Sequence, residues 1–201
     1  MTTIRFTFLS ALLALASLTS AADPHAAILN GLRKGPLSAV PNAQLVTPAE
    51  QDATLALFQA SGYWAKGEVV PVSDMPFTKA YRAIARNKPD KPWLVQLQAS
   101  YPKALSKGST VYVSFWMRAA LGPKATISLM AAPGSRHEIT VGTEWSQCSF
   151  PVTISKDIPA NTGKTFSAFL GAGKQAIEIG GFVVVDLGQA VNPKTLTTSI
   201  P

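Results

Sequence analysis

The chain has 201 residues, a formal charge of +7, one cysteine and two histidines. That is room for one domain with a full core, and too little to add the roughly 250 residues of a catalytic (β/α)8 barrel. A lone Cys148 excludes a disulfide framework, and His25 and His137 are too few and too distant for a histidine-rich metal centre.

The positive balance invites a nucleic-acid reading, but the pattern resists it. Lysines and arginines such as Lys66, Arg82, Lys103, Lys124, Arg136 and Lys164 are spread singly near turns, with no dense basic run. No nucleic-acid partner is expected. Solubility, or mild attraction to an acidic polysaccharide or anionic envelope, accounts for the charge.

At the start, Arg5, the apolar run 6–18 and the small pattern Ser20-Ala21-Ala22 read as an export signal covering residues 1–22. The run is shorter than the about 20 apolar residues a membrane span needs, so no span is expected and the protein is placed outside the cytoplasm, extracellular or periplasmic. Residues 23–54 are rich in Pro, Ala and Gly with little periodicity and read as a lead-in over the domain. Then come short runs of strand length at 55–58, 63–72, 80–86, 93–99, 111–119, 126–131, 136–141, 144–151, 165–170 and 176–187, each bounded by turn residues. The last run breaks at Gly180-Gly181, where a bulge is expected. No run has a convincing helical period. About ten such strands predict an all-β antiparallel sandwich or barrel spanning 55–188, followed by a polar tail at 189–201.

The run from Gly108 to Ala119 is the plainest strand. Val111, Val113, Phe115 and Met117 share one face, which reads as core; Tyr112, Ser114, Trp116 and Arg118 share the other, which supports either a second packed layer or a ligand platform. Cys148 reads as a small buried hydrophobe on a later strand.

The succession Pro76-Phe77-Thr78-Lys79-Ala80-Tyr81-Arg82, Lys91-Pro92-Trp93-Leu94-Val95-Gln96-Leu97, the central strand, Glu144-Trp145, Gly171 and Ile177-Glu178-Ile179-Gly180-Gly181 resembles the β-jelly-roll carbohydrate-binding modules of the galactose-binding-domain-like group. These are commonly attached to xylanases and related glycoside hydrolases. The resemblance implies a jelly-roll sandwich with a glycan cleft on a concave face, a glycoside hydrolase as possible partner, Trp93 in the family's cleft-side position before a strand, and Arg86 at the end of the preceding one. It also implies a structural calcium, for which Asp186 is the candidate ligand; no other cofactor is expected.

Sugar rings have apolar faces that stack on aromatics, while amides and guanidinium groups take the equatorial hydroxyls. Tyr63, Trp64, Trp93, Trp116, Gln96, Gln98, Arg86 and Arg118 are therefore the candidate polysaccharide-binding residues, with xylan or a related β-glycan as the expected ligand. For Trp116 the residues alone leave core and binding both open; Trp145 reads as core. Gln96 and Gln98 alternate with Val95 and Leu97, which puts both amides on one face. Catalysis finds no support, since glycoside hydrolysis needs two carboxylates set across a bond and the acids here fall mostly at turns. Gly171-Ala172-Gly173 is followed by a strand rather than an anion-holding helix, which excludes a phosphate loop. The reading is a non-catalytic binding module. Its alternatives are an envelope structural or protein-interaction sandwich without a sugar site, and the front end of a xylanase-type hydrolase.

Overall fold

The computed structural model describes residues 24–162 and 165–201, so the export signal expected at 1–22 lies outside the described residues. In chain order the elements are α1 (Pro24–Lys34), β1 (Gln44–Leu45), α2 (Gln51–Leu55), β2 (Phe58–Ser61), β3 (Ala65–Pro71), β4 (Lys79–Ala85), a 3-10 turn (Pro92–Leu94), β5 (Gln96–Ala99), β6 (Thr110–Leu121), β7 (Lys124–Met130), β8 (His137–Gly142), β9 (Ser146–Thr153), β10 (Phe166–Phe169), β11 (Gln175–Asp186) and a second 3-10 turn (Pro193–Thr195). The strands form two antiparallel sheets. One runs β3-β4-β11-β6-β9, with β1 added to β11; the other runs β2-β5-β10-β7-β8. The expected antiparallel sandwich is the fold. Among the described residues no helix is long and apolar enough to cross a membrane.

The strands follow from alternation. In β6, flanked by β11 and β9, Val111, Val113, Phe115 and Met117 are fully buried between the sheets. Phe115 meets Phe150, Phe166 and Phe182 edge-on or tilted at 5.8–6.4 Å. Cys148, opposite Phe115, is buried there too, and desolvation pushes its thiol up to about 12. The bulge expected at Gly180-Gly181 is present: register shifts between Gly180 and Val183, and Gly181 takes φ of 58°. The two glycines admit neighbours. The Phe77 ring lies against Gly180, and Trp116 and Ile28 crowd Gly181, where a Cβ would sit 2.8 Å from Trp116 Cε3.

Three local expectations need correction. Residues 24–34, read as aperiodic, form α1. Pro24 is tolerated at a helix start, Arg33 and Lys34 complement the dipole at its end, and Gly35 follows, its N–H reaching Gly31 O at 3.0 Å. Its fully buried apolar residues are Ile28 and Leu32, spaced i, i+4, set against the sheet in a second cluster with Phe77, Tyr112, Val183 and Val185, with Leu29 packed partly buried beside them. Leu55 ends α2 instead of opening a strand, its neighbour Gln51 bridging Lys79 O and Thr78. Trp93 sits in the 3-10 turn, with the strand starting at Gln96, because Pro92 takes a first-turn position that has no N–H to lose.

Candidate functional site

A two-sheet sandwich has two outer faces, and the structure divides the sequence-predicted residues between them. Trp116 and Arg118 lie on the outer face of the six-stranded sheet. Trp116, half-buried, packs tilted on Phe77 at 5.8 Å in the cluster beneath α1. Arg118 belongs to a charged row that crosses four strands in register, Glu68–Arg82–Glu178–Arg118. Glu178 is 1% exposed; its Oε1 accepts from Arg82 Nη2 at 2.5 Å and its Oε2 from Arg118 Nε at 2.7 Å. The Arg118 guanidinium also lies 4.6 Å from the Trp145 ring centre. These contacts hold Arg118 in a fixed place, because a buried carboxylate needs its counter-charges. Trp145, half-buried and edge-on to Phe77 at 5.1 Å, serves the same layer.

The outer face of the five-stranded sheet is different. Register places Ser61, Gln96, Phe169, Ser128 and Glu138 in one row across its strands, and Gln59, Gln98, Ser167 and Met130 in the next. Cross-strand neighbours in such rows have Cα atoms about 4.5–5.5 Å apart, so their side chains stand side by side on one face. Four buried side-chain polar atoms lack a partner among the described residues, and three belong here: Gln98 Nε2, Ser128 Oγ and Ser167 Oγ. They flank two half-buried apolar groups, Phe169 and Met130. The only charged side chain in the two rows is Glu138, which pairs with Arg136 at 3.2 Å.

An aromatic rim stands at the Gln96 end. Gln96 Nε2 donates to Trp93 O at 3.1 Å, tying the floor to the 3-10 turn. Trp93 is 52% exposed, with Lys91 Nζ 5.6 Å from its ring centre. The loop at Gly62 backs onto Leu94 O; it carries Tyr63, which is 93% exposed and edge-on to Trp64 at 5.6 Å. Gly62 takes φ of 118° there, which only glycine adopts freely. Trp64 O accepts from Arg86 N at 3.0 Å, and Gly171 N donates to Pro92 O at 3.0 Å, joining the loops. The structure therefore brings Tyr63, Trp93, Gln96 and Gln98 together about β2 and β5 of the five-stranded sheet, places Trp64 and Arg86 beside the paired ends of β3 and β4 in the other sheet, and separates Trp116 and Arg118 from the first set. Trp64 itself is partly buried against the main core.

Phe169, Ser128, Ser167 and Met130 are not singled out by sequence pattern. Their signal is alternation: Phe166 and Ala168 face the core, which turns Ser167 and Phe169 outward. Asp186, the ligand implied for a calcium, accepts from Gly188 N at 2.9 Å through its Oδ1, closing the turn after β11, and among the described residues no three His, Cys, Asp or Glu side chains gather at one point.

No protein-family profile matches the chain, and no curated protein matches it. Solved structures do. An arabinose-bound family 51 α-L-arabinofuranosidase superposes with a TM-score of 0.51 at 15% identity, covering 67% of this chain and 24% of that one. The likeness is one of fold. The chain thus spans about a quarter of that enzyme's length. A Clostridium thermocellum xylanase 10B fragment, with family 22 binding and family 10 hydrolase modules complexed with xylohexaose, gives 0.48 at 13% identity over 69% of this chain and 27% of that one. The C-terminal family 22 carbohydrate-binding module of the same xylanase gives 0.44 at 16% identity, over 68% and 89%.

Proposed function

We propose that the chain is an exported, non-catalytic module that binds a neutral plant-type polysaccharide, xylan or a related β-glycan, along the outer face of the five-stranded sheet. The observation that carries the reading is the set of unpartnered Gln98, Ser128 and Ser167 side-chain atoms beside the half-buried Phe169 ring. Buried polar atoms are nearly always hydrogen-bonded, so three lapses on one face are what a site built for ligand hydroxyls looks like. Phe169 and the exposed Trp93 supply apolar surfaces for ring faces; the amides and hydroxyls take hydroxyls at ring edges. Along the two rows the one charged side chain, Glu138, is paired with Arg136, so the floor matches a neutral chain, while Lys91 stands beside Trp93 at the rim.

Affinity electrophoresis through gels containing xylan, glucuronoxylan or mixed-linkage β-glucan tests the reading. Wild-type migration is expected to be retarded by a neutral glycan, with little change between low and moderate salt, because screening acts on exposed charge pairs. Trp93→Ala and Phe169→Ala are each expected to lose most of the affinity, since aromatic anchors dominate binding sites, while melting temperature moves little for the half-exposed Trp93. Folded variants with undiminished retardation would remove the site from this face; no retardation of wild type by any glycan would leave the sandwich without a sugar function.

A further inference from the structure

Trp93 is 52% exposed, so packing does little to hold its ring, yet the backbone beneath it is fastened at successive carbonyls. Pro92 O accepts from Gly171 N at 3.0 Å, Trp93 O from Gln96 Nε2 at 3.1 Å, and Val95 O from Leu170 N at 2.8 Å. Between them, Leu94 O lies against Gly62. The turn also closes on itself, Leu94 N donating to Lys91 O at 3.0 Å. Surface connections are ordinarily among the more mobile parts of a domain. This one is gripped by the strand it feeds, by the residues that follow β10, and by the loop between β2 and β3.

Two of those contacts exist only because a side chain is missing. A Cβ at Gly171 would sit 2.5 Å from Pro92 O and 2.7 Å from both Pro92 Cα and Pro89 Cγ. Gly171 is not in the left-handed region, so closeness rather than conformation demands the glycine. A Cβ at Gly62 would overlap Leu94 O outright. The two glycines thus press on the peptide unit before Trp93 and on the one after Leu94. Gly173 follows Gly171 in the same loop, and a Cβ there meets nothing within 4 Å, so the close approach belongs to Gly171 and not to the loop. Gly62 also leads directly into Tyr63, which is 93% exposed, so one contact ties the two aromatic carriers of the rim together.

We infer that Gly171 and Gly62 are positioning residues of the polysaccharide site, which let backbone close on both sides of the Trp93 turn and fix that aromatic at the Gln96 end of the floor before a glycan arrives. The inference rests on the assignment of this face to polysaccharide. Both glycines act through Trp93. What they spare the ligand is the ordering of a mobile aromatic, worth roughly two- to tenfold in affinity.

Backbone amide relaxation by NMR, on the full chain without ligand, measures the fastening directly. Order parameters of about 0.85 at Trp93 and Leu94, the value of rigid backbone, are expected; values below about 0.6 overturn the proposal whether or not any variant folds. Gly171→Ala is then compared with Gly173→Ala, with xylohexaose and cellohexaose as probes in titration calorimetry. Gly171→Ala is expected to shift the Trp93 amide and indole resonances, to leave those of Trp116 and Trp145 in place, and to bind the preferred oligosaccharide roughly two- to tenfold more weakly. Gly173→Ala is expected to match wild type in every respect. A folded Gly171→Ala protein with wild-type affinity overturns the positioning role, and so does an equal loss in Gly173→Ala. Failure of the polysaccharide reading looks different: wild type and Trp93→Ala would bind the oligosaccharides equally or not at all, and the positioning role would fall with it.

Discussion

Ser167→Ala separates a binding face from a packed one more cleanly than any aromatic truncation. Ser167 is 1% exposed, lies in β10 between Gln98 and Met130, and its hydroxyl has no partner. A buried hydroxyl left unpaired costs about 1–3 kcal/mol of desolvation, and alanine removes it without opening more than a hydroxyl-sized gap. The variant is therefore expected to be more stable by about 1 kcal/mol, which for a domain of this size raises the melting temperature by roughly 2–4 °C. Its polysaccharide affinity is expected to fall roughly two- to tenfold, the worth of one net hydrogen bond. Ser114→Ala is the control, because it removes an equally buried and unpartnered hydroxyl on the other sheet; it should stabilise the fold and leave polysaccharide affinity alone. Scanning calorimetry and affinity electrophoresis on the two proteins give both quantities. A Ser167→Ala protein that loses more than about 1 kcal/mol while binding as before would mean the hydroxyl supports the fold, and the reasoning fails.

Other perturbations probe the scaffold that holds the face. Phe115→Ala should cost roughly 3–5 kcal/mol in urea melts, because four phenylalanines meet there without solvent; a loss under about 1 kcal/mol would displace the core. Gly180→Ala drives a methyl into the fully buried Phe77 ring and should cost roughly 1–3 kcal/mol; a neutral result would show that the ring can retreat under α1. Burial holds Cys148, Tyr101 and Tyr112 neutral, the Cys148 thiol moving from its ordinary 9.0 up to about 12. The folded state thus binds more protons than the unfolded one above about pH 9, so stability is full below that value and declines toward about pH 12, with native Cys148 inert to thiol reagents until the protein unfolds. Rapid labelling of Cys148 in the native protein, or stability that stays flat with rising pH, would contradict its burial.

The strands were legible because alternation is local: Val111, Val113, Phe115 and Met117 announce an inward face within a few residues. Which sheet a polar face belongs to is not local. Gln96 and Gln98 share a face, as do Trp116 and Arg118, and only strand pairing, with partners up to 96 residues away in the case of Arg82 and Glu178, puts the two sets on opposite sides of the sandwich. Phe169 was hidden by the shortness of β10, whose four residues give only two turns of the alternation. The helix was hidden for another reason. Ile28 and Leu32 are a thin apolar stripe among Ala and Gly, and what stabilises α1 is the surface it meets, Phe77, Val183 and Val185, which come from distant strands.

That same helix decides which outer face stays open. On the six-stranded sheet, α1 roofs one part of the outer face with a second apolar cluster, and the remainder carries a row in which Glu178 is neutralised by two arginines. Its charged groups are matched to one another. The five-stranded face has no roof among the described elements and the opposite composition: amides and hydroxyls without mates, an aromatic ring half in view, and almost no charge in a chain whose formal balance is +7. A face meant only for water would hold the long cationic side chains that this protein uses freely elsewhere, because exposed lysine and arginine satisfy themselves in solvent. Serine, glutamine and phenylalanine, set in register and shielded by their neighbours, are costly to keep there unless a neutral hydroxylated chain completes them.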